Sequence, residues 1–138
     1  MRFLCIYKPS APEGTPPSQE TMTRMGQLIE DMTKAGVLLS TEGCLPSAMG
    51  ARVRRQGSKV TVTDGPFTET KEIVGGFAII KAQSKAEAIE WTKKFLDVAG
   101  DGESEIRQIA EFDDFGDELT PEAREQEQRS RERMAANR

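Results

Sequence analysis

Residues 2–7, Arg-Phe-Leu-Cys-Ile-Tyr, alternate as a strand does, yet both of their faces are apolar. Side chains in a strand point to opposite sides with a period of two, so Phe3, Cys5 and Tyr7 fall on one face and Leu4 and Ile6 on the other. Such a strand has to be covered twice. Helices of the same chain can cover one face. The second needs another layer, and a chain of 138 residues has few elements left to supply it. A second copy of the chain is the simplest cover, so a homodimer is expected.

The remaining pattern supplies the elements. Residues 8–17 read as a loop punctuated by Pro9, Pro12, Gly14, Pro16 and Pro17. Ser18 caps a helix reaching about Ala35, with Met22, Met25, Leu28, Ile29 and Met32 at helical spacing and Gly36 as its stop. That methionine-rich stripe reads as core filler rather than as an adaptable binding surface. A second strand runs from Val37 to Ser40. A hairpin joins residues 51–55 and 59–63 around Gln56-Gly57-Ser58, with Val53, Val60 and Val62 on its apolar side. Its arginines, Arg52, Arg54 and Arg55, read as a solvated edge that discourages aggregation, with anion binding as the alternative. A further strand spans residues 76–82. Ser84 and Glu87 form a capping box for a helix to about Val98, burying Ala88, Ile89, Phe95 and Leu96. A last strand is expected over 104–112.

The order is β-α-β, an inserted hairpin, then β-α-β. Two split βαβ units predict an α+β, ferredoxin-like sandwich: an antiparallel sheet with both helices on one side. Two such sheets packed face to face bury both bare faces at once and make a dimeric α/β barrel. The globular domain is expected over 1–112. Residues 113–138 change composition, to an acidic linker and a polar helix starting at Thr120-Pro121-Glu122, held by the i,i+4 pairs Glu125/Arg129 and Glu127/Arg131.

Composition narrows the chemistry. The chain contains no histidine, which removes Ser-His-Asp and Cys-His catalysis, His-ligated haem and the usual zinc sites. No metal and no cofactor is expected. Acid–base work is left to Asp, Glu, Lys, Cys or Tyr7. The two cysteines, Cys5 and Cys44, are not expected to pair in a chain of cytosolic type. A net charge of −4 argues against direct contact with nucleic acid. No signal-peptide core and no membrane-spanning run can be read, so no membrane association and a cytoplasmic location are expected.

One stretch concentrates the candidate functional groups: Val62-Thr63-Asp64-Gly65-Pro66-Phe67-Thr68-Glu69-Thr70-Lys71-Glu72, followed by Gly75-Gly76-Phe77. The structural reading makes it a turn, with Gly65 at an unusual backbone angle, Pro66 holding its neighbour extended, Asp64 accepting nearby N–H groups and Phe67 anchoring the turn to the core. The functional reading puts Asp64, Glu69 and Lys71 at the mouth of a cleft, where a carboxylate beside a lysine binds or deprotonates a small ligand. Tyr7 and Glu42, near strand ends, are expected to join that ligand site.

This stretch resembles the DGPF family of YCII-related proteins. The likeness continues through Lys34-Ala35-Gly36-Val37-Leu38-Leu39, Gly50-Ala51-Arg52-Val53-Arg54, Glu87-Ala88-Ile89-Glu90-Trp91 and Glu105-Ile106-Arg107-Gln108-Ile109, and on to Leu119-Thr120-Pro121-Glu122. The resemblance implies the same ferredoxin-like dimeric barrel. It also implies an association of some members with alternative sigma factors, and kinship with small isomerases and cofactor-free oxygenases. A His–Asp pair proposed for related proteins has no counterpart in a chain without histidine. The expectation is a homodimeric small-ligand-binding or regulatory protein. The alternatives are a cofactor-independent isomerase, lyase or oxygenase with Asp64 or Glu69 as base and Lys71 or an arginine as oxyanion stabiliser, and an adaptor docking on a transcription regulator through its C-terminal helix.

Overall fold

Phe3 sits at the centre of the core, 1% exposed, and its neighbours define the architecture. In the computed structural model, which describes residues 1–69 and 73–138, the chain divides into two compact units, Met1–Gln108 and Ile109–Arg138. The first contains β1 (Arg2–Pro9), α1 (Gln19–Lys34), β2 (Leu38–Gly43), a 3-10 turn (Ser47–Met49), β3 (Ala51–Gln56), β4 (Lys59–Asp64), β5 (Gly76–Lys81), α2 (Lys85–Ala99) and β6 (Gly102–Gln108). Four strands form an antiparallel sheet in the order β2-β5-β1-β6, and β3-β4 form a separate two-stranded ribbon. This is the ferredoxin-like α+β fold, with a hairpin inserted between its second and third sheet strands.

Register assigns the faces. Phe3, Cys5 and Tyr7 lie opposite Ile80, Ala78 and Gly76 of β5 and opposite Gln108, Ile106 and Ser104 of β6. This face meets the helices, and Phe3, Met32, Val37, Ile80, Ala82 and Ala88 form its buried cluster. On the reverse face Leu4 and Ile6 stand beside Ile79 and Phe77. All four are only half-buried, and neither α1 nor α2 lies on that side. A break in register between Leu38 and Ser40 of β2 leaves Leu39 45% exposed, as expected where one extra residue bulges out of a ladder.

Both helices start on serine caps. Ser18 Oγ accepts from Thr21 N–H and Ser84 Oγ from Glu87 N–H, each at 3.1 Å. The Glu87 carboxylate reaches back to the Gln83 N–H at 2.8 Å, one residue before the cap. Each cap satisfies donors that the helix itself cannot use.

Several expectations change. β1 continues to Pro9, which pairs with Gly102, so the loop starts later than residue 8; a proline is tolerated at a strand end, where its missing N–H is not needed. β6 stops at Gln108 rather than at 112. Its pairing ends with Phe3↔Gln108, because β1 has almost no residues left to extend the ladder. In α2 the buried positions are Ala88 and Thr92, and Ile89 is 36% exposed: Ala88 is buried as expected, Thr92 joins it, and Ile89 lies at the edge of the stripe. In α1 only Met32 is buried and Met22 is 53% exposed.

The second unit holds a 3-10 segment (Phe112–Glu118) and α3 (Pro121–Ala136). Thr120 caps α3 with Pro121 in its first turn. Arg129–Glu125 and Arg131–Glu127 pair along its surface at 3.1 and 3.2 Å. No residue of α3 is buried, as its scarcity of apolar side chains dictates.

Candidate functional site

The first unit carries a cleft of about 410 Å³ between the sheet and its two helices. Cys5, Tyr7, Ala78 and Ile80 form its floor, Met25, Leu28 and Met32 one wall, and Trp91, Thr92 and Phe95 the other. The strand period sends Cys5 and Tyr7 to the helix side. The spacing Trp91–Phe95 puts both rings on one face of α2. The volume falls within the range of small-molecule pockets, about 300–1,000 Å³, and the lining has their usual make-up of apolar and aromatic groups with few polar ones. Among the described residues that line it, none is lysine or arginine.

Polar groups enter at defined points. The Thr92 hydroxyl donates to Ala88 O at 2.8 Å and lies 3.9 Å from Cys5 Sγ. Burial pushes the Cys5 pKa above its ordinary 9.0, and the hydrogen bond with Thr92 tempers the rise. Cys5 is therefore a neutral thiol near pH 7 and a poor nucleophile. At the open end the Tyr7 ring meets Phe95 edge-on, with centroids 5.0 Å apart, and its hydroxyl donates to Asp101 O at 3.3 Å. Burial, and then the charge of Asp101, raise the Tyr7 pKa above its ordinary 10.0. The backbone also crowds this end. A Cβ on Gly76 would stand 2.8 Å from Glu42 O, so β2 and β5 approach there as only glycine permits.

The sequence-predicted site residues separate. Tyr7 lines the cleft, and Glu42 contributes at its rim. The register Glu42↔Phe77 places the Glu42 side chain toward the reverse face of the sheet. Asp64 closes β4 opposite Ala51. Asp64 and Glu69 are exposed and neither is among the lining residues. Lys71, with Thr70 and Glu72, lies outside the described residues.

The Asp-Gly-Pro-Phe turn is held by partners that sequence reasoning missed. The Gly65 N–H donates to Gly50 O at 3.0 Å, and the Phe67 N–H donates to Ser47 Oγ at 3.0 Å. Ser47 in turn gives its N–H and its hydroxyl to the Glu13 carboxylate. The Gly65–Pro66 peptide is cis. Phe67 does not reach the core: its ring lies under the Arg52 guanidinium, 3.7 Å from the carbon to the centroid. Gly65 has an ordinary backbone angle. What requires glycine there is contact, because a Cβ would run into the Ser47 carbonyl. Nothing local in the sequence joins Glu13 or Ser47 to this turn. Of the residues expected at a ligand site, Tyr7 and Glu42 fall at the cleft; Phe95, expected in the core, and Trp91, at the margin of the expected stripe, form its aromatic wall.

The profile of the YCII-related domain matches residues 1–113. The chain belongs to this family. An uncharacterized protein of Rhizobium meliloti (strain 1021), R00369, is 28% identical over 93 residues, covering 67% of this chain and 75% of that protein. Among solved structures, the YCII-related chain is similar to 5-chloro-2-hydroxyhydroquinone dehydrochlorinase (TftG) from Burkholderia phenoliruptrix AC1100, in complex with 2,5-dihydroxybenzoquinone. The TM-score is 0.43 at 13% identity, over 82% of this chain and 97% of that one. Among the described residues no helix is long and apolar enough to cross a membrane, and no Cys, Asp and Glu side chains cluster in a way that could hold a metal ion.

Proposed function

We propose that this YCII-related protein is a cytoplasmic homodimer that binds a small, neutral, largely apolar molecule in the cleft between helices and sheet. The observation that carries the reading is the cleft itself: about 410 Å³, walled by Met25, Met32, Trp91 and Phe95, and free of cationic side chains among its described lining residues. A flat apolar body fits between the α2 rings and the methionines, whose flexible thioethers adapt to irregular shapes. Tyr7 and Ser104 offer hydrogen bonds at the open end. An anionic ligand would find no counter-charge there. The homodimer rests on the reverse sheet face, where Leu4, Ile6, Phe77 and Ile79 are half-covered and no helix of residues 1–108 lies over them.

Binding is favoured over catalysis because the titratable groups on the cleft floor stay neutral near pH 7. Cys5 and Tyr7 both have raised pKa values, which suits hydrogen bonding and disfavours proton abstraction.

Trp91 is the single tryptophan of the chain and lines the cleft, so its fluorescence reports occupancy. Titration with neutral bicyclic aromatics, such as naphthol and indole, is expected to quench or shift Trp91 emission saturably. Ala78→Leu, which fills the floor, is expected to weaken that binding at least tenfold. Saturable binding that Ala78→Leu leaves unchanged would move the ligand elsewhere; no response to any small neutral probe would end the proposal. Light scattering on the eluting protein tests the dimer, and a folded monomer at tens of micromolar would refute it.

A further inference from the structure

The cleft does not end at Tyr7. A second compartment of about 860 Å³ opens beyond its mouth and shares Tyr7, Gly43 and Gly75 with it. The loop after β1 gives Pro12, Pro16 and Pro17 to the outer wall, the segment after β2 gives Leu45 and Pro46, and Val74 comes from the approach to β5. The prolines carry no backbone N–H. Thr15 donates its hydroxyl to Pro12 O at 2.6 Å, and Thr21 Oγ1 accepts from Ser18 Oγ at 3.0 Å. Among the described residues that line this space, the charged ones are Glu13 and Asp101. The Glu13 carboxylate is taken up by the N–H and hydroxyl of Ser47, a link that ties the proline loop to the segment after β2. The passage between the two compartments follows from register. Gly43, Gly76, Tyr7 and Ser104 stand in one row across the sheet, on the face that meets the helices. Two of the four have no side chain, which leaves a gap beside the Tyr7 ring.

We propose that the cleft and the outer compartment are one elongated binding site, which takes a neutral aromatic body joined to an unbranched aliphatic chain. The inference rests on the cleft reading and extends it to the second half of the ligand. The ring body lies between the α2 rings and the methionines. The chain crosses the glycine row and runs along the proline wall. Three features set this class. The chain is thin at the crossing, because the Tyr7 ring stands on one side of it: methylenes pass where a branched group would meet the phenol. The chain is uncharged, because an ionised end would exchange water for prolines, Leu45 and Val74, and an anionic end would also face Glu13 and Asp101. The wall is formed before the ligand arrives, since the Glu13–Ser47 bonds hold the proline loop in place, so little protein has to be ordered on binding.

The experiment titrates Trp91 emission with 2-methoxynaphthalene, which the inner cleft alone can hold, and with 2-hexyloxynaphthalene, whose chain is longer by five methylenes. A buried methylene is worth roughly fourfold in affinity. With one side of the chain still facing water, the hexyl ether is expected to bind at least about thirtyfold tighter than the methyl ether. Leu45→Asp/Val74→Asp charges the outer wall at two exposed positions, 73% and 37%, so circular dichroism should show an unchanged fold. It should weaken the hexyl ether at least tenfold and leave the methyl ether within about twofold. Gly43→Val narrows the crossing. An added Cβ there meets nothing closer than Gly75 O at 4.0 Å, and the substitution should also reduce the gain from the chain at least tenfold. If neither ether binds, the cleft reading falls and this inference with it. A methyl ether that binds, with a hexyl ether no tighter, would overturn the elongated site alone. So would a chain gain that either variant leaves intact, or an equal loss of both ethers in the aspartate variant.

Discussion

The Glu13 carboxylate accepts both the backbone N–H and the hydroxyl of Ser47, each at 2.6 Å. Thirty-four residues separate the two. Ser47 Oγ then accepts from the Phe67 N–H, so one serine ties the proline-rich loop to the Asp-Gly-Pro-Phe turn. Charge-assisted bonds of this length are the stronger kind. Ser47→Ala removes the hydroxyl and leaves the Phe67 N–H without its acceptor. A loss of about 1–3 kcal/mol is expected, read as a lower urea midpoint. Glu13→Gln keeps one acceptor for the Ser47 N–H and should cost less. An unchanged midpoint for Ser47→Ala would mean that the hydroxyl plays no part.

Gly65 is held by the same serine from the other side. A methyl group at this position would collide with the Ser47 carbonyl, and backbone atoms cannot step aside cheaply. Gly65→Ala is expected to destabilise by roughly 2–4 kcal/mol, within the range of backbone and overpacking defects. Gly26→Ala is the control, since nothing lies within 4 Å of the added carbon and alanine favours a helix; it should be neutral or stabilising. Thermal melts of the two variants decide the point.

The two thiols are both free, Cys44 exposed and Cys5 half-buried. Cys44 should react with an aromatic disulfide reagent in the first seconds. Cys5, with its pKa raised by burial, should react at least tenfold more slowly, and more slowly still once the cleft is occupied. Two thiols released at one rate would contradict this placement of Cys5.

The same groups set an alkaline limit on stability. Below pH 9.0 both Cys5 and Tyr7 are protonated in folded and unfolded chains alike, so their full contribution is present. As the pH rises past 9.0 the unfolded thiol ionises first, and past 10.0 the unfolded phenol follows. Stability should therefore fall from about pH 9 upward until the raised folded values are passed. Cys5→Ala should remove the earlier part of the fall, seen as urea midpoints between pH 7.5 and 10.5.

The C-terminal unit buries no residue of α3. A chain ending at Phe112 is expected to keep the fold, the cleft and the dimer, with the melting temperature changed by a few degrees at most. If a regulatory protein captured by the full chain is lost on this truncation, the segment is an adaptor. If capture survives, the docking surface lies in residues 1–112.

The order of elements was legible in the sequence because short-range rules governed it. Alternation placed Phe3, Cys5 and Tyr7 on one face, Ser18 and Ser84 announced their helices, and the spacing of Val53, Val60 and Val62 drew the hairpin. The end of β6 was not legible, because it depends on where β1 runs out, a hundred residues earlier in the chain. Site residues divide in the same way. Tyr7 was found because strand period and strand end are local properties. Glu13, Ser47 and the Cys5–Thr92 pair were missed, since each acts across a separation that no spacing rule encodes. The sequence by itself determined which faces are greasy and which chemistries lack their side chains. Only the tertiary structure decided that the cavity opens between helices and sheet, and that a serine fastens the signature turn. Local periodicity records what each residue prefers, whereas a cavity and a latch exist only where distant segments meet.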